Sequence, residues 1–214
     1  MSRSNIGAIV PVKTFSRAKS RLHLTNEQTE LVCKIMLDSV LRTLSLSSAI
    51  DKIILVSKDE HALSIGKKFN AIEIYDSAEL GVNNAVRLGD EYLSEHGFET
   101  SIVFPQDIPF MQSEDIDTLL SMNQGSNSVL VVPSRKFDGT NALLRMPPKI
   151  METHYDEDSY KIHLTTAEKK GLTPALVLIR RIMLDLDDQD DLNFILSNVD
   201  SKISKSISSV LNNQ

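Results

Sequence analysis

Apolar positions recur along this chain in two rhythms, one in short runs and one at helical spacing. Ile6–Val12 is a short apolar run that leads into a basic stretch, as a buried strand entering a loop should. Thr25 and Gln28 then have capping-box spacing, and Cys33, Met36, Leu37, Val40, Leu41 and Leu44 recur as one buried helical face. The alternation continues with strands expected at Lys52–Ser57, 71–75, 101–104 and 128–132. Between them helices are expected over 59–69, 83–96 and from a Ser113 cap to about Met122. Repeated strand–helix units of this kind predict an α/β fold: a mostly parallel sheet, helices on both faces, right-handed crossovers. Ligands in such sheets sit beyond the carboxyl ends of the strands.

The rhythm changes after Pro133. Residues 140–145 read as an added strand and 159–170 as a helix stopped by Gly171, together an insertion over the site. The apolar runs 176–179 and 182–187 read as returning strands, and Asp188 suits the cap of a helix to about Leu196, with Asp190 and Asp191 in its first turn. From about 201 to 214 the tail is polar, yet Ile203, Ile207, Val210 and Leu211 keep helical spacing. Such a stripe docks on the body or on a second subunit, and a frayed tail is the alternative.

Composition narrows the class. The 214 residues fit a single domain spanning 1–214, because one core grows to about 250 residues before chains divide. A formal net charge of -6 and a pI near 5.4 argue against a nucleic-acid partner, which clustered Lys and Arg would attract. Cys33 is the only cysteine, so no internal disulfide and no cysteine-rich zinc site can form. Ile6–Val12 is far too short to span a membrane or to serve as a secretory segment, and cytoplasmic residence is expected.

Candidate chemistry gathers at the ends of the apolar runs. Asp107 follows one of them, inside Pro105-Gln106-Asp107-Ile108-Pro109. Asp185 and Asp187 are two apart, so on a strand both point to one side and, with Asp107, reach one cation such as Mg²⁺. The same residues also suit a turn and an acidic helix start, and spacing alone leaves both readings open. Lys13, Arg17, Lys19 and Arg21 follow the first strand, as a triphosphate-binding loop or as a solvated charged one. No Gly-x-x-x-x-Gly-Lys-Ser/Thr or Gly-x-Gly-x-x-Gly pattern occurs, which weakens an ordinary ATPase and a nicotinamide dehydrogenase alike. Gly81-Val82-Asn83-Asn84 opens a helix whose N–H groups suit an anion or only a cap, and Asp138-Gly139-Thr140-Asn141 joins a turn to hydroxyl and amide donors. His163 either faces a ligand or sits on a helix surface.

Taken together, Val10-Pro11-Val12-Lys13 with Ala18-Lys19-Ser20-Arg21-Leu22, the Asp107 motif, Asp138-Gly139-Thr140-Asn141-Ala142-Leu143-Leu144 and Asp185-Leu186-Asp187 closely resemble the 2-phospho-L-lactate guanylyltransferase family. The resemblance runs from about Ile6 to Leu196. It implies a Rossmann-like, three-layer nucleotidyltransferase fold of the type seen in molybdenum-cofactor guanylyltransferases, and a step in coenzyme F420 biosynthesis. It also implies GTP and 2-phospho-L-lactate as substrates, Mg²⁺ as cofactor and a homodimer. By the same resemblance Lys13, Lys19 and Arg21 contact the nucleotide, and Asp107, Asp185 and Asp187 bind metal. Gly81, Thr140, Asn141 and Ser159 line the phosphorylated-acid site, and Asp107, Lys19 and Arg21 carry catalysis. The chain departs from the family at Asp156-Glu157-Asp158, where a Gly-rich stretch is usual, and at Asp188-Gln189-Asp190-Asp191.

The implied reaction is attack by a phosphate oxygen of the acceptor on the GTP α-phosphorus, with pyrophosphate leaving. Phosphoenolpyruvate or 3-phosphoglycerate are the alternative acceptors. A non-catalytic nucleotide-binding protein is the competing class, distinguished by nucleotide binding without pyrophosphate release.

Overall fold

The computed structural model describes residues 5–123, 125–156 and 158–212. Strand β1 (Ile6–Val12) is buried along its whole length and leads through two short 3-10 turns, Phe15–Arg17 and Ser20–Leu22, into α1 (Asn26–Leu46). Thr25 and Gln28 form the expected capping box at its start. The next units are β2 (Lys52–Ser57), α2 (Glu60–Lys67), β3 (Ile72–Tyr75), α3 (Val82–Glu95), β4 (Thr100–Val103) and α4 (Ser113–Ser121). Gln112, not Ser113, caps α4, in a reciprocal pair with Asp115. Then come β5 (Ser128–Pro133), β6 (Thr140–Met146), α5 (Ser159–Lys169), the two-residue β7 (Ala175–Leu176), α6 (Gln189–Asn198) and α7 (Lys202–Asn212).

The strands form one seven-stranded sheet in the order β3-β2-β1-β4-β6-β5-β7. All pairings are parallel except those of β6, which runs antiparallel to both β4 and β5. Alternation along β1 sends Ala8, Val10 and Val12 to a core shared with α1, while Ile9 joins a second core with Val86 and Leu93 of α3 and Ala167 of α5. Helices thus cover both faces, giving three layers. A Cβ on Gly89 would lie 2.8 Å from Ile9 Cγ2, so glycine lets α3 rest directly on β1. Arg145 of β6 forks onto Asp90 of α3 with two 2.7 Å bonds, an ion pair buried inside the second layer.

The stretch after Pro133 enters the sheet as β6 and its second face as α5, while the chain around 155–159 walls the site. The returning strands expected at 176–179 and 182–187 are a correction: only Ala175–Leu176 pairs, and 182–187 makes no ladder. Its backbone groups go elsewhere, with Ile182 O accepting from the Asn141 amide and Leu186 N–H donating to Asp107 O. Helix α6 has the expected Asp188 cap with Asp190 and Asp191 in its first turn. The tail folds as α7, whose Ile207 is fully buried in the first core and whose Ile203, Val210 and Leu211 pack against it.

Candidate active site

A cleft of about 740 Å³ opens at the carboxyl ends of β1 and β4. Its walls come from the β1–α1 loop, the loop after β4, the start of β6, the head of α5 and the segment before α6. Lys13, Lys19, Arg21, Asp107, Thr140, Asn141, Ser159, Asp185 and Asp187 all line it. Gly81 does not; it caps α3 in the left-handed region at φ 99°, one residue before Val82, which does line the cleft. The side chain of Arg17 lies outside the described residues.

Lys19 is the hinge of this arrangement. Its own backbone is left-handed (φ 56°), and its ammonium reaches Asp107 Oδ2 at 2.5 Å and Asp187 Oδ1 as a second ion pair. Arg21 Nη2 adds a 3.1 Å contact to Asp187 Oδ2. Burial alone would lower the Lys19 pKa, but the two carboxylates outweigh it and raise it. Burial raises Asp107 despite the Lys19 charge, whereas Lys19 and Arg21 overcome the burial of Asp187 and hold it below the usual carboxylate range. Asp185 has no cation partner among the described residues; burial, then repulsion from Asp107 and Asp187, pushes it up to about 7. Lys19 and Arg21 thus pair with Asp107 and Asp187, and Asp185 is the carboxylate of the three without an ion pair among the described residues.

The donor set is one of hard oxygens, which suits Mg²⁺. Among the described residues no three acidic, His or Cys side chains stand ready around one ion, and the Lys19 ammonium pairs with both Asp107 and Asp187.

Thr140 and Ser159 of the cleft lining are buried in one hydrogen-bonded group with His163. His163 lies behind the cleft wall, neither on the surface nor against the cavity. Asn141 braces the 182–187 segment through Ile182 O rather than turning its amide nitrogen outward, and Asp138 folds its own turn onto Ser134.

A family profile described as guanylyl transferase CofC like matches residues 6–210. The chain belongs to that family. Among its relatives, a phosphoenolpyruvate guanylyltransferase of Conexibacter woesei is 33% identical over 87% of this chain and 85% of that one. A 2-phospho-L-lactate guanylyltransferase of Methanobrevibacter smithii is 30% identical over 90% and 84%. A solved structure of a putative nucleotide-diphospho-sugar transferase from Desulfovibrio desulfuricans superposes with a TM-score of 0.75 at 15% identity, covering 97% of this chain and 94% of that one. That likeness extends to the fold, the expected nucleotidyltransferase type. The CofC-like chain is accordingly an enzyme of the nucleotidyltransferase class.

Two cleft residues carried no signal of their own in the sequence. Gln106 and Tyr155 line the cavity, and Gln106 Oε1 and the Tyr155 hydroxyl are buried with no hydrogen-bond partner. Gln106 was visible only as a neighbour of Asp107. Tyr155 belongs to an irregular stretch where no period marks a facing side. Glu157, part of the departure from the family, lies outside the described residues.

Proposed function

We propose that this chain, as one nucleotidyltransferase domain, transfers GMP from GTP to 2-phospho-L-lactate, releasing pyrophosphate and giving lactyl-2-diphospho-5'-guanosine for coenzyme F420 biosynthesis. The observation that carries it is one cleft lined together by Lys13, Lys19 and Arg21, by Asp107, Asp185 and Asp187, and by Thr140 and Ser159. Cations for a triphosphate and donors for a second anion are thereby held together, and aligning two anions is the main task of phosphoryl-group chemistry. The acceptor phosphate is already ionised near neutral pH, so its oxygen attacks the α-phosphorus without a strong base. Lys19 and Arg21 hold the triphosphate and receive the charge that builds on the leaving pyrophosphate.

Asp107, Asp185 and Asp187 are the residues to hold Mg²⁺, supported by the surplus of carboxylate charge around the raised Asp185. Bound there, the ion would supply charge neutralisation on the phosphate oxygens. With the carboxylates so engaged, the Lys19 ammonium would be free to pair with the nucleotide's phosphate oxygens. Thr140 and Ser159 bind the acceptor, and Gly81, outside the cleft lining, has no part in holding it.

Phosphoenolpyruvate is the second reading, favoured by the 33% identical Conexibacter woesei relative. We further propose that the enzyme works in the cytoplasm, the compartment that supplies GTP, and as a homodimer. Exposed Leu176 and Leu178 at the β7 edge of the sheet support a partner there, and light scattering that returns a monomer would sink it.

The deciding assay is pyrophosphate release with GTP, Mg²⁺ and 2-phospho-L-lactate, against phosphoenolpyruvate in competition, with product mass and Asp107→Ala as control. Turnover with phosphoenolpyruvate alone moves the acceptor. GTP binding without release under any acceptor makes the protein a non-catalytic binder.

A further inference from the structure

One hydrogen-bond chain behind the cleft wall contains a donor whose direction cannot be reversed. His163, fully buried on α5, lies 3.0 Å from Thr140 Oγ1 through Nδ1, and its Nε2 is 2.9 Å from the backbone nitrogen of His154. Ser159 Oγ lies 3.0 Å from the same Thr140 oxygen. Thr140 and Ser159 line the cleft.

A backbone N–H only donates, so Nε2 of His163 must offer its lone pair to His154. Burial, reinforced by the charges of Arg145 and His154, pulls the His163 pKa down to about 3, and the ring is neutral. Its single proton therefore sits on Nδ1, facing Thr140 Oγ1, which accepts it. Thr140 and Ser159 then own two hydroxyl protons, and the bond between them uses one. The other is left over on a hydroxyl that faces the cleft. With the opposite tautomer, Thr140 would donate to Nδ1, Ser159 would donate to Thr140, and the pair would meet an anion with lone pairs only.

We propose that His163 is a positioning residue for the acceptor: by donating to Thr140 it makes the Thr140–Ser159 pair present a hydroxyl proton to the acceptor's anionic group. This role rests on the reaction proposed above. His163 touches no substrate and acts through Thr140.

Two substitutions separate the two ring nitrogens. His163→Asn puts an amide N–H near the Nδ1 position and loses the partner of His154; His163→Gln puts its amide near Nε2 and loses the donor to Thr140. The acceptor KM is expected to be about ten-fold or more higher in His163→Gln than in His163→Asn, with the GTP KM alike in both. Equal acceptor KM values, or a GTP KM that rises in step, would overturn the role, since a purely structural histidine affects both substrates together. Nitrogen NMR of the wild-type side chain gives a second readout that needs no variant: a neutral ring protonated on Nδ1 supports the proposal, and protonation on Nε2 overturns it even if neither variant folds. Wild-type protein with the expected tautomer but no turnover with any phosphorylated acid would overturn the reaction and the positioning role with it. Turnover with the wrong tautomer would remove the role alone.

Discussion

The backbone N–H of Leu186 donates to the carbonyl of Asp107 at 3.0 Å. This single bond sets the residues on either side of Leu186, Asp185 and Asp187, next to Asp107, although nearly eighty positions separate them in the chain. The segment gets its remaining support from side chains: Asn141 holds Ile182 O, and Arg181 forks onto Asp115 of α4 at 2.7 and 2.8 Å.

Arg181→Ala should therefore lower activity far more than stability. Its side chain is 41% exposed, so the stability loss should stay near about 1 kcal/mol, while a misplaced Asp185 and Asp187 pair should slow pyrophosphate release about ten-fold or more. Denaturant melts beside steady-state kinetics would check this; a fall in stability with unchanged kcat would count against it.

Lys19→Met should abolish pyrophosphate release and, in nucleotide-free protein, tighten binding of Mn²⁺ used as a probe. The lysine ammonium pairs with both Asp107 and Asp187, so its removal leaves Asp107 without an ion-pair partner and Asp187 with Arg21 alone. Titration followed by electron paramagnetic resonance reads the affinity directly. Weaker Mn²⁺ binding in the variant would show that Lys19 does not compete for the carboxylates.

The strand–helix alternation through β5 was legible because each element carries its own apolar period and punctuation, down to the Thr25–Gln28 box. Lys13 and Asp107 were legible for a related reason: they follow apolar runs, β1 and β4, whose ends the topology brings together. What escaped was 182–187, where an apolar run looks like a strand whether or not neighbours pair with it. Its backbone is satisfied by Asn141 and Asp107, partners that no local pattern announces. His163 escaped as well, because a lone histidine on a helix carries no mark of being buried, and only the fold brings Thr140 and the His154 N–H to its ring.

Asp90→Ala should cost about 3–5 kcal/mol, the expected range when one partner of a buried ion pair is removed. The other partner, Arg145, is almost wholly enclosed, and its Nε already lacks a hydrogen-bond partner. Chemical denaturation would measure the loss, and a change below about 1 kcal/mol would mean that water reaches the guanidinium.

Acid should weaken the fold through His163. Its folded pKa of about 3 lies below the ordinary value of 6.5, so the unfolded chain binds the proton more readily. The stability contributed is full above the unfolded pKa and is lost as pH falls from there toward the folded pKa. Between about pH 7 and about pH 5 the loss from this residue should be about 2 kcal/mol. Comparing the wild type with His163→Asn at both pH values isolates it, and identical pH dependence would assign the acid sensitivity to other groups.

The reversed strand β6 has a consequence for how this scaffold can change. Running against its neighbours, β6 brings its beginning, not its end, to the mouth of the cleft, so Thr140 and Asn141 stand immediately after the 134–139 hairpin. The Lys13–Arg21 loop hangs from β1, two strands away across β4. Hairpin length and the chain before Ser159 can vary without shifting the Lys13–Arg21 loop, so with the roles proposed above the acceptor side can change while the triphosphate side stays put.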